Sequence, residues 1–283
     1  MLPEFRSRTM PVKAHDAIAD LRARQIVATA LAAAFSQPHA AVDRGVPAST
    51  QAALSSAWRL VALPHAVVDP SELQPGEVLP TDVDFRSVTR WLRLDPIRRE
   101  RAGQHVFGLV ISKPCSPCET DHLPYGDAFC RAQVLADITG FYRAFGVDVS
   151  SRQPQRPDHI VLELEFVAIL LGKLADAFGD GAASERVDVC QRALASFMRD
   201  HLTTWLAGFG QLVARRAEDV AATIAEASER EDVALLGEVG RVVCAWIAAE
   251  RRCAGLAPTR GIDVRSLPVA TESNEACESC ECP

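Results

Sequence analysis

The stretch Arg-Pro-Asp-His at 156–159, with Glu163 after it, places side chains that could do chemistry at the start of a predicted helix. One helical turn separates His159 from Glu163, so these two side chains can meet on one face. Pro157 suits the first helical position, and Asp158 complements the positive end of the helix dipole. Three interpretations are open: a capped helix end, a His–Glu hydrolytic site, and a carboxylate surface that binds arginine side chains of a partner.

The nine cysteines are a second group of candidates. Cys115 and Cys118 are separated by two residues in a proline-bracketed loop, and the chain ends with Cys277, Cys280 and Cys282. Thiolates at this spacing can bind Zn²⁺ or an iron–sulfur cluster, but three of them leave a tetrahedral set incomplete. The three terminal cysteines are therefore candidate metal ligands. The alternative is that these thiols and the loop thiols are exposed, reduced and without a fixed role.

No nucleotide-binding or hydrolase motif accompanies these candidates. The Gly-x-Gly stretches at 179–181 and 208–210 lack a third glycine, a preceding strand and a following Gly-Lys-Ser/Thr. Gly-x-Ser-x-Gly and His-Glu-x-x-His do not occur. The net charge of −7 argues against a nucleic-acid binder and is compatible with a basic peptide as partner. The residues therefore favour a binding protein over an enzyme.

The elements that position these residues are predicted to be helices. Apolar side chains recur every three or four residues through most of the chain, which is typical of amphipathic helices. The predicted helices cover residues 14–36, 49–63, 82–101, 126–146, 157–178, 184–207, 209–228 and 231–253. Pro96 is expected to bend or end the third of them, and only 105–112 is predicted to be extended. The pattern predicts an all-α bundle of about eight helices.

The pattern also divides the chain. Residues 1–104 are predicted to form an N-terminal helical part, and residues 105–254 a core that carries the Pro-Asp-His stretch. Residues 255–283 lack apolar periodicity and are predicted to be a disordered, cysteine-containing tail. The sequence shows no apolar signal-peptide region and no apolar run long enough to span a membrane. We therefore expect a cytoplasmic protein without stable membrane insertion.

Three blocks of the sequence resemble the TorD/DmsD/NarJ family of cytoplasmic chaperones for molybdenum enzymes. They are LADITGFYRAFGVDVS at 135–150, RPDHIVLELEFVAILLGKLADAF at 156–178 and CQRALASFMRDHLTTWLAGF at 190–209. The family's most characteristic stretch is the Pro-Asp-His with a glutamate-bearing helix after it. The block HVFGLVISKPCSPCETDHLPYGDAF at 105–129 resembles the branch that serves type II enzymes of the dimethyl-sulfoxide-reductase family. Before residue 100 the chain matches the family poorly.

The resemblance implies a binding site for a twin-arginine signal peptide, which is a basic pair followed by an apolar run. Such a leader must be shielded until its enzyme has folded and received its cofactor. Asp158 and Glu163 would bind the arginines, and an apolar groove formed by aromatic residues would take the apolar run. The implied client-binding residues are Pro157, Asp158, His159, Glu163, Phe141, Tyr142 and Phe145.

The resemblance therefore implies a system-specific chaperone without enzyme activity. Its partner would be the catalytic subunit of a dimethyl-sulfoxide-reductase-family molybdoenzyme, bound through its leader and in its apo form. The client, and not the chaperone, would receive bis-molybdopterin guanine dinucleotide, and the chaperone would be a monomer or homodimer. The alternative function is metal or Fe–S handling by the terminal cysteines. A third hypothesis is a small hydrolase built on His159 and Glu163.

Overall fold

The computed structural model describes residues 14–36, 48–65, 69–108, 115–123, 128–148, 155–179 and 184–259. In these ranges the chain forms nine α-helices and no β-strand. The helices are α1 (Ala14–Phe35), α2 (Ala48–Ala62), α3 (Arg86–Arg93), α4 (Pro96–Phe107), α5 (Ala128–Ala144), α6 (Ile160–Gly179), α7 (Ser184–Phe197), α8 (Thr203–Ala221) and α9 (Ala227–Cys253). A π-helical turn, Met198–Leu202, joins α7 and α8 into one continuous helical segment. The predicted all-α bundle of about eight helices is confirmed.

The helix α6 is central because it is apolar on nearly all sides. Thirteen of its 20 residues are buried, as expected of a helix that other elements surround. Helix α1 packs along α6, and α9 packs against α8, α3 and α4. The buried side chains of these helices belong to one hydrophobic core. This core holds the start of α6, where the predicted site lies.

Several ion pairs link the predicted N-terminal part to the rest of the chain, among them two that join α1 and α4 to α9. The guanidinium of Arg24 on α1 donates to Glu250 on α9 at distances of 2.7 and 3.1 Å. Arg98 on α4 donates to Asp232 on α9 through two bonds of 2.7 Å. The boundary predicted between residues 104 and 105 falls inside α4. In the described residues, side chains from both predicted parts therefore share one core.

The predictions around Pro96 need two corrections. The helix predicted at 82–101 is two helices, because Asp95 accepts a hydrogen bond from the Ile97 N–H at 2.9 Å and caps a new helix that starts at Pro96. The extended stretch predicted at 105–112 is wrong for its first residues, which complete α4. A short apolar run fits a strand or a buried helix equally well. Residues 109–112 lie outside the described part.

The break predicted between 207 and 209 is also wrong, since α8 continues through its glycines to Ala221. A Cβ atom on Gly210 would lie 2.6 Å from the Gly240 carbonyl oxygen of α9. These glycines allow two helix backbones to approach closely, which is a requirement of packing and not a helix end.

The first residues of the predicted disordered tail pack on the core. Thr259 N–H donates to Gln74 Oε1 at 2.8 Å, and Arg251 donates to the Leu256 carbonyl at 2.8 Å. The prediction of disorder is therefore wrong for residues 255–259. Residues 260–283 lie outside the described part of the chain. None of the described helices is long and apolar enough to cross a membrane.

Candidate functional site

The loop at 115–123 crosses the start of α6. Cys118 and His159 form an isolated antiparallel β-bridge. In the same place the Glu119 N–H donates to the Asp158 carbonyl at 2.9 Å. These bonds give partners to backbone groups that would otherwise be buried without any. The loop thereby brings its polar side chains to the predicted site.

His159 caps α6. Its Nδ1 accepts a hydrogen bond of 3.2 Å from the N–H of Val161, which is one of the free donors of the first helical turn. Burial lowers the pKa of His159 to about 4, against the opposing charge of Asp158. The ring is therefore neutral at pH 7 and acts as a hydrogen-bond acceptor. This state suits a helix cap and does not suit a general base that exchanges protons near neutrality.

Asp158 lies wholly inside the protein and is paired there. Its side chain is 0% exposed. The guanidinium of Arg156 bonds to both of its oxygens, with Nε at 3.0 Å and Nη2 at 2.8 Å. Thr120 donates to the same carboxylate through its N–H at 3.0 Å and its hydroxyl at 2.8 Å. A planar guanidinium and a carboxylate form a strong, directional pair in this geometry.

The pair extends outward to Asp121. Arg156 Nη1 lies 3.2 Å from Asp121 Oδ2, and Ser116 donates to that oxygen at 2.6 Å. Burial disfavours the guanidinium charge, but bonding to Asp158 raises the pKa of Arg156 overall. The side chain of Arg156 is 38% exposed and that of Asp121 is 20% exposed. We call Ser116, Thr120, Asp121, Arg156 and Asp158 the Arg156 cluster.

Glu163 is buried in a different environment from Asp158. Its side chain is 0% exposed, and Trp205 Nε1 donates to its Oε2 at 3.3 Å. The other oxygen, Oε1, is buried without a donor. Burial, followed by the charge and hydrogen bonding of Glu119, raises the pKa of Glu163 well above its ordinary value. In its protonated form Glu163 can donate to Glu119.

From Glu119 the polar contacts continue to the surface through His201. The His201 Nδ1 lies 3.1 Å from Glu119 Oε2, and its Nε2 lies 3.3 Å from Asp137 Oδ2 on α5. Glu119 is buried, whereas the Asp137 side chain is 60% exposed. Burial opposes protonation of His201, but Glu119 and Asp137 outweigh it and raise the pKa of the ring. We call Glu163, Glu119, His201 and Asp137 the acid–histidine chain.

The three predicted groove residues meet in an aromatic group on α6. The rings of Phe141, Tyr142 and Phe145 contact the ring of Phe166, with centroids 6.3, 4.9 and 5.9 Å from it. The Tyr142 hydroxyl donates to the Pro157 carbonyl at 2.9 Å, which ties α5 to the helix start. Tyr142 is buried, and the two phenylalanines are half-buried. The structure therefore places these side chains together beside the Pro-Asp-His stretch.

Exposure divides the seven predicted residues into two groups. Pro157, His159, Phe141 and Phe145 are half-buried and reach the surface. Asp158, Glu163 and Tyr142 are buried, with partners inside the protein. Their role in client binding stays a prediction.

Sequence reasoning missed the partners of these residues: Thr120, Asp121, Glu119, His201 and Asp137. Spacing alone could not identify them, since His201 is 82 residues from Glu119 in the chain. The one available signal was the polar composition of the 115–123 loop.

The described cysteines of the loop are not exposed thiols. Cys115 and Cys118 are each 0% exposed, and burial raises the pKa of both to about 12. Within the described ranges, no three histidine, cysteine or acidic side chains are grouped so that they could hold a metal ion. The predicted ligands Cys277, Cys280 and Cys282 lie outside those ranges, so the metal-handling alternative depends on residues that the structure does not describe.

Comparison with known proteins agrees with the resemblance. Residues 98–211 match the model of the nitrate reductase delta subunit family. The chain is 36% identical over 81 residues to the chlorate reductase assembly chaperone protein of Ideonella dechloratans. It is 35% identical over 79 residues to the selenate reductase assembly chaperone protein of Thauera selenatis. It is 32% identical over 76 residues to the perchlorate reductase assembly chaperone protein of Dechloromonas aromatica strain RCB.

These alignments cover 29%, 28% and 27% of this chain and 40%, 39% and 33% of the three relatives. No solved structure matches the chain significantly. The family match contains the 115–123 loop, all of α5 and α6, and His201, and so includes both polar clusters. Through residues 98–211 the chain is therefore similar to the nitrate reductase delta subunit family, in agreement with the resemblance seen in the sequence.

Proposed function

We propose that this protein is an assembly chaperone for the catalytic subunit of an exported molybdoenzyme of the dimethyl-sulfoxide-reductase family. It binds the twin-arginine leader and the apo form of that subunit, and it assists folding and cofactor insertion before export. The observation that carries the proposal is the similarity to three reductase assembly chaperones, together with a family match that contains the whole candidate site.

In this proposal the partly exposed residues contact the leader directly. Phe141 and Phe145 contact its apolar run, because a half-buried aromatic side chain still has apolar surface that a partner can bury. Pro157 and His159 form the adjoining surface. The buried residues Glu163 and Tyr142 act by holding this surface in place.

The basic pair of the leader is recognised at the Arg156 cluster. Asp158 already binds a guanidinium, that of Arg156, so a leader arginine reaches Asp158 only by replacing it. Exchange of one guanidinium for another conserves the two bonds to the carboxylate. A lysine offers no planar fork and would leave part of this buried acceptor unpaired. The exchange therefore supports selection of arginine over lysine, and the apolar run supplies most of the binding free energy.

The bis-molybdopterin guanine dinucleotide cofactor belongs to the client. The chaperone's part is to keep the apo subunit accessible and its leader covered while the cofactor enters. The ion pairs that join α1 and α4 to α9 help to hold the chaperone in the conformation that would support such a client. No permanently bound cofactor is needed for that role.

Leader binding is tested by titration calorimetry with synthetic leaders of chlorate and selenate reductase catalytic subunits. We expect Asp158→Asn to weaken binding about tenfold, the effect of losing one charge-assisted pair of about 1.4 kcal/mol. Replacing the leader's arginine pair by lysines should weaken binding to the wild-type protein to a similar extent.

The matched control for this titration is Asp232→Asn. Asp232 is also a buried carboxylate in a two-bond pair with an arginine, but it joins α9 to α4 away from the α6 start. Its replacement should leave the leader affinity unchanged. Absence of leader binding by the wild-type protein would overturn the proposed function. Equal losses in the Asp158 and Asp232 variants would remove the Arg156 cluster from it.

A further inference from the structure

Helix α5 is attached to the core at few points. Of its 17 residues only Ile138 and Tyr142 are buried. Its polar contacts with other elements include the Tyr142 hydroxyl on the Pro157 carbonyl, Asp137 against His201, and Arg131 at 3.8 Å from Asp121 of the 115–123 loop. An element with so few buried side chains opens at a lower free-energy cost than the core around it.

The contact with His201 depends on the number of protons on the ring. Nδ1 is hydrogen-bonded to Glu119, and Nε2 lies 3.3 Å from Asp137 Oδ2 without hydrogen-bond geometry, so a carboxylate lies beside each ring nitrogen. Only the imidazolium carries a positive charge that attracts both carboxylates, whereas a neutral ring donates at one nitrogen and accepts at the other. Glu119 is 1% exposed and cannot turn to water, but Asp137 can, with 60% of its side chain exposed. The single proton of a neutral ring therefore stays with Glu119, and Asp137 no longer lies beside a cation.

We propose that His201 is a proton-controlled latch, which in its imidazolium form fastens α5 to the 115–123 loop and on losing a proton releases α5. The latch is independent of the client. Its consequence for the client rests on the proposed function: α5 carries Phe141 and is followed directly by Phe145, so its release changes the exposure of the aromatic group that would contact the leader.

Two carboxylates beside His201 favour the imidazolium: Glu119 on the loop and Asp137 on α5. Glu163 on α6 interacts with Glu119, and its raised pKa favours its neutral form. On its own segment, Arg199 and Asp200 are exposed and bonded to each other at 2.8 Å.

Aromatic rings enclose the imidazole on its other sides. The centroids of Phe197 and Phe141 lie 5.0 and 5.8 Å from the centroid of His201. Burial among these rings works against the charge, but the carboxylates outweigh it, and the pKa of His201 is raised. The stabilisation of α5 by the latch is therefore full below the ordinary histidine pKa of about 6.5 and is lost as the pH rises through the raised value.

The helix that carries the latch is irregular at the same place. His201 lies in the π-helical turn Met198–Leu202 between α7 and α8. Such turns are rare and frequently occur at functional positions. Here the turn presents one ring to two elements at once, the loop and α5.

Hydrogen–deuterium exchange of the full chain, followed by mass spectrometry from about pH 5.5 to about pH 8.5, tests the latch on both sides of the ordinary histidine value. The measured quantity is the ratio of the exchange rate of the α5 amides to that of the α9 amides, after each rate is divided by its intrinsic rate at that pH. We expect this ratio to rise about two- to fivefold with pH in the wild-type protein, the scale of a partly exposed ion pair.

Two variants and a control make the experiment decisive. Asp137→Asn changes an exposed side chain and should give a high ratio that no longer depends on pH. His201→Gln should do the same. His105→Gln removes a histidine–carboxylate pair between α4 and α9, with Nε2 3.0 Å from Glu229, and should keep the wild-type curve.

A wild-type ratio that is flat with pH, or an Asp137→Asn curve that matches the wild type, would overturn the latch. Both results leave leader binding untouched. Failure to bind any leader, with the α5 titration intact, would overturn the proposed function and leave the latch in place.

Discussion

At the scale of single residues, two carboxyl groups near one helix start have opposite surroundings. Asp158 accepts bonds from a guanidinium and from Thr120, and these donors support a negative charge inside the protein. Glu163 faces another carboxyl group and one indole N–H, and these surroundings support a proton. The resemblance implied that both residues bind the leader's arginines. Of the two, only Asp158 has surroundings that suit binding of a cation.

The charge state of Glu163 can be tested through stability. A raised pKa means that the folded state holds a proton which the unfolded state loses, so folding stability falls as the pH rises above the unfolded glutamate value. Glu163→Gln removes this loss. We expect the variant to gain stability relative to the wild type with increasing pH above about 4.3, by at most about 1.4 kcal/mol per pH unit. Urea unfolding between acidic and neutral pH measures the difference.

Glu238→Gln is the control for that measurement, because the Glu238 side chain is 52% exposed. Its stability difference from the wild type should not change with pH. A Glu163→Gln difference that is equally flat would show that Glu163 is ionised in the fold, with its charge balanced by a partner.

At the scale of elements, the closest helix contact is that of α8 with α9. A Cβ atom on Gly210 would lie 2.6 Å from the Gly240 oxygen and 2.7 Å from Cys244 Sγ. Because backbone atoms cannot move aside cheaply, Gly210→Ala should destabilise the protein by about 1–3 kcal/mol. Urea unfolding gives the value.

Gly140→Ala on α5 is the matched substitution, since a Cβ atom there has no neighbour within 4 Å. Alanine favours a helix over glycine, so this variant should gain about 0.5–1 kcal/mol if α5 unfolds with the rest of the protein. Opposite signs at the two positions are expected. A loss at neither position would mean that α8 and α9 are further apart than described.

The helices themselves follow from apolar periodicity, which identified α1, α2, α5, α6 and α9 closely. The errors arise where a residue has two possible roles. Pro96 can end a helix or begin one, and the cap by Asp95 decided this. Gly208 and Gly210 can end a helix or let a neighbour approach, and the contact with α9 decided this. Such choices depend on tertiary partners that a local pattern does not contain.

At the scale of the whole molecule, polar residues far apart in the chain pair inside a shared core. Arg24 and Glu250 are 226 residues apart, and Arg251 and Glu77 are 174 apart. Their side chains are 8% or less exposed. Residue types suggest no partner over such distances. For the same reason the Pro-Asp-His stretch could be recognised from the sequence, whereas the acid–histidine chain required the fold.

The end of the folded part can be located by truncation. Thr259 and Leu256 are bonded to Gln74 and Arg251, so a chain ending at residue 259 should melt at the same temperature as the full chain. A chain ending at residue 254 loses both bonds and should melt several degrees lower, at a loss of about 1 kcal/mol for each bond. Thermal melts followed by circular dichroism compare the three chains. A lower melting temperature for the 259-residue chain would show that residues 260–283 contribute to stability.

The pairing of α1 with α6 and α9 also sets the order in which a newly made chain can fold. Arg24 leaves the ribosome long before Glu250, which follows it by 226 residues. At synthesis rates of about 5–20 residues per second, α1 waits roughly 10–50 s for that partner. Until α6 is made, the apolar face of α1, including Val27 and Leu31, lacks the helix that it packs along. A protein proposed to shield the leader of another chain therefore exposes the apolar face of its own α1 early in its synthesis.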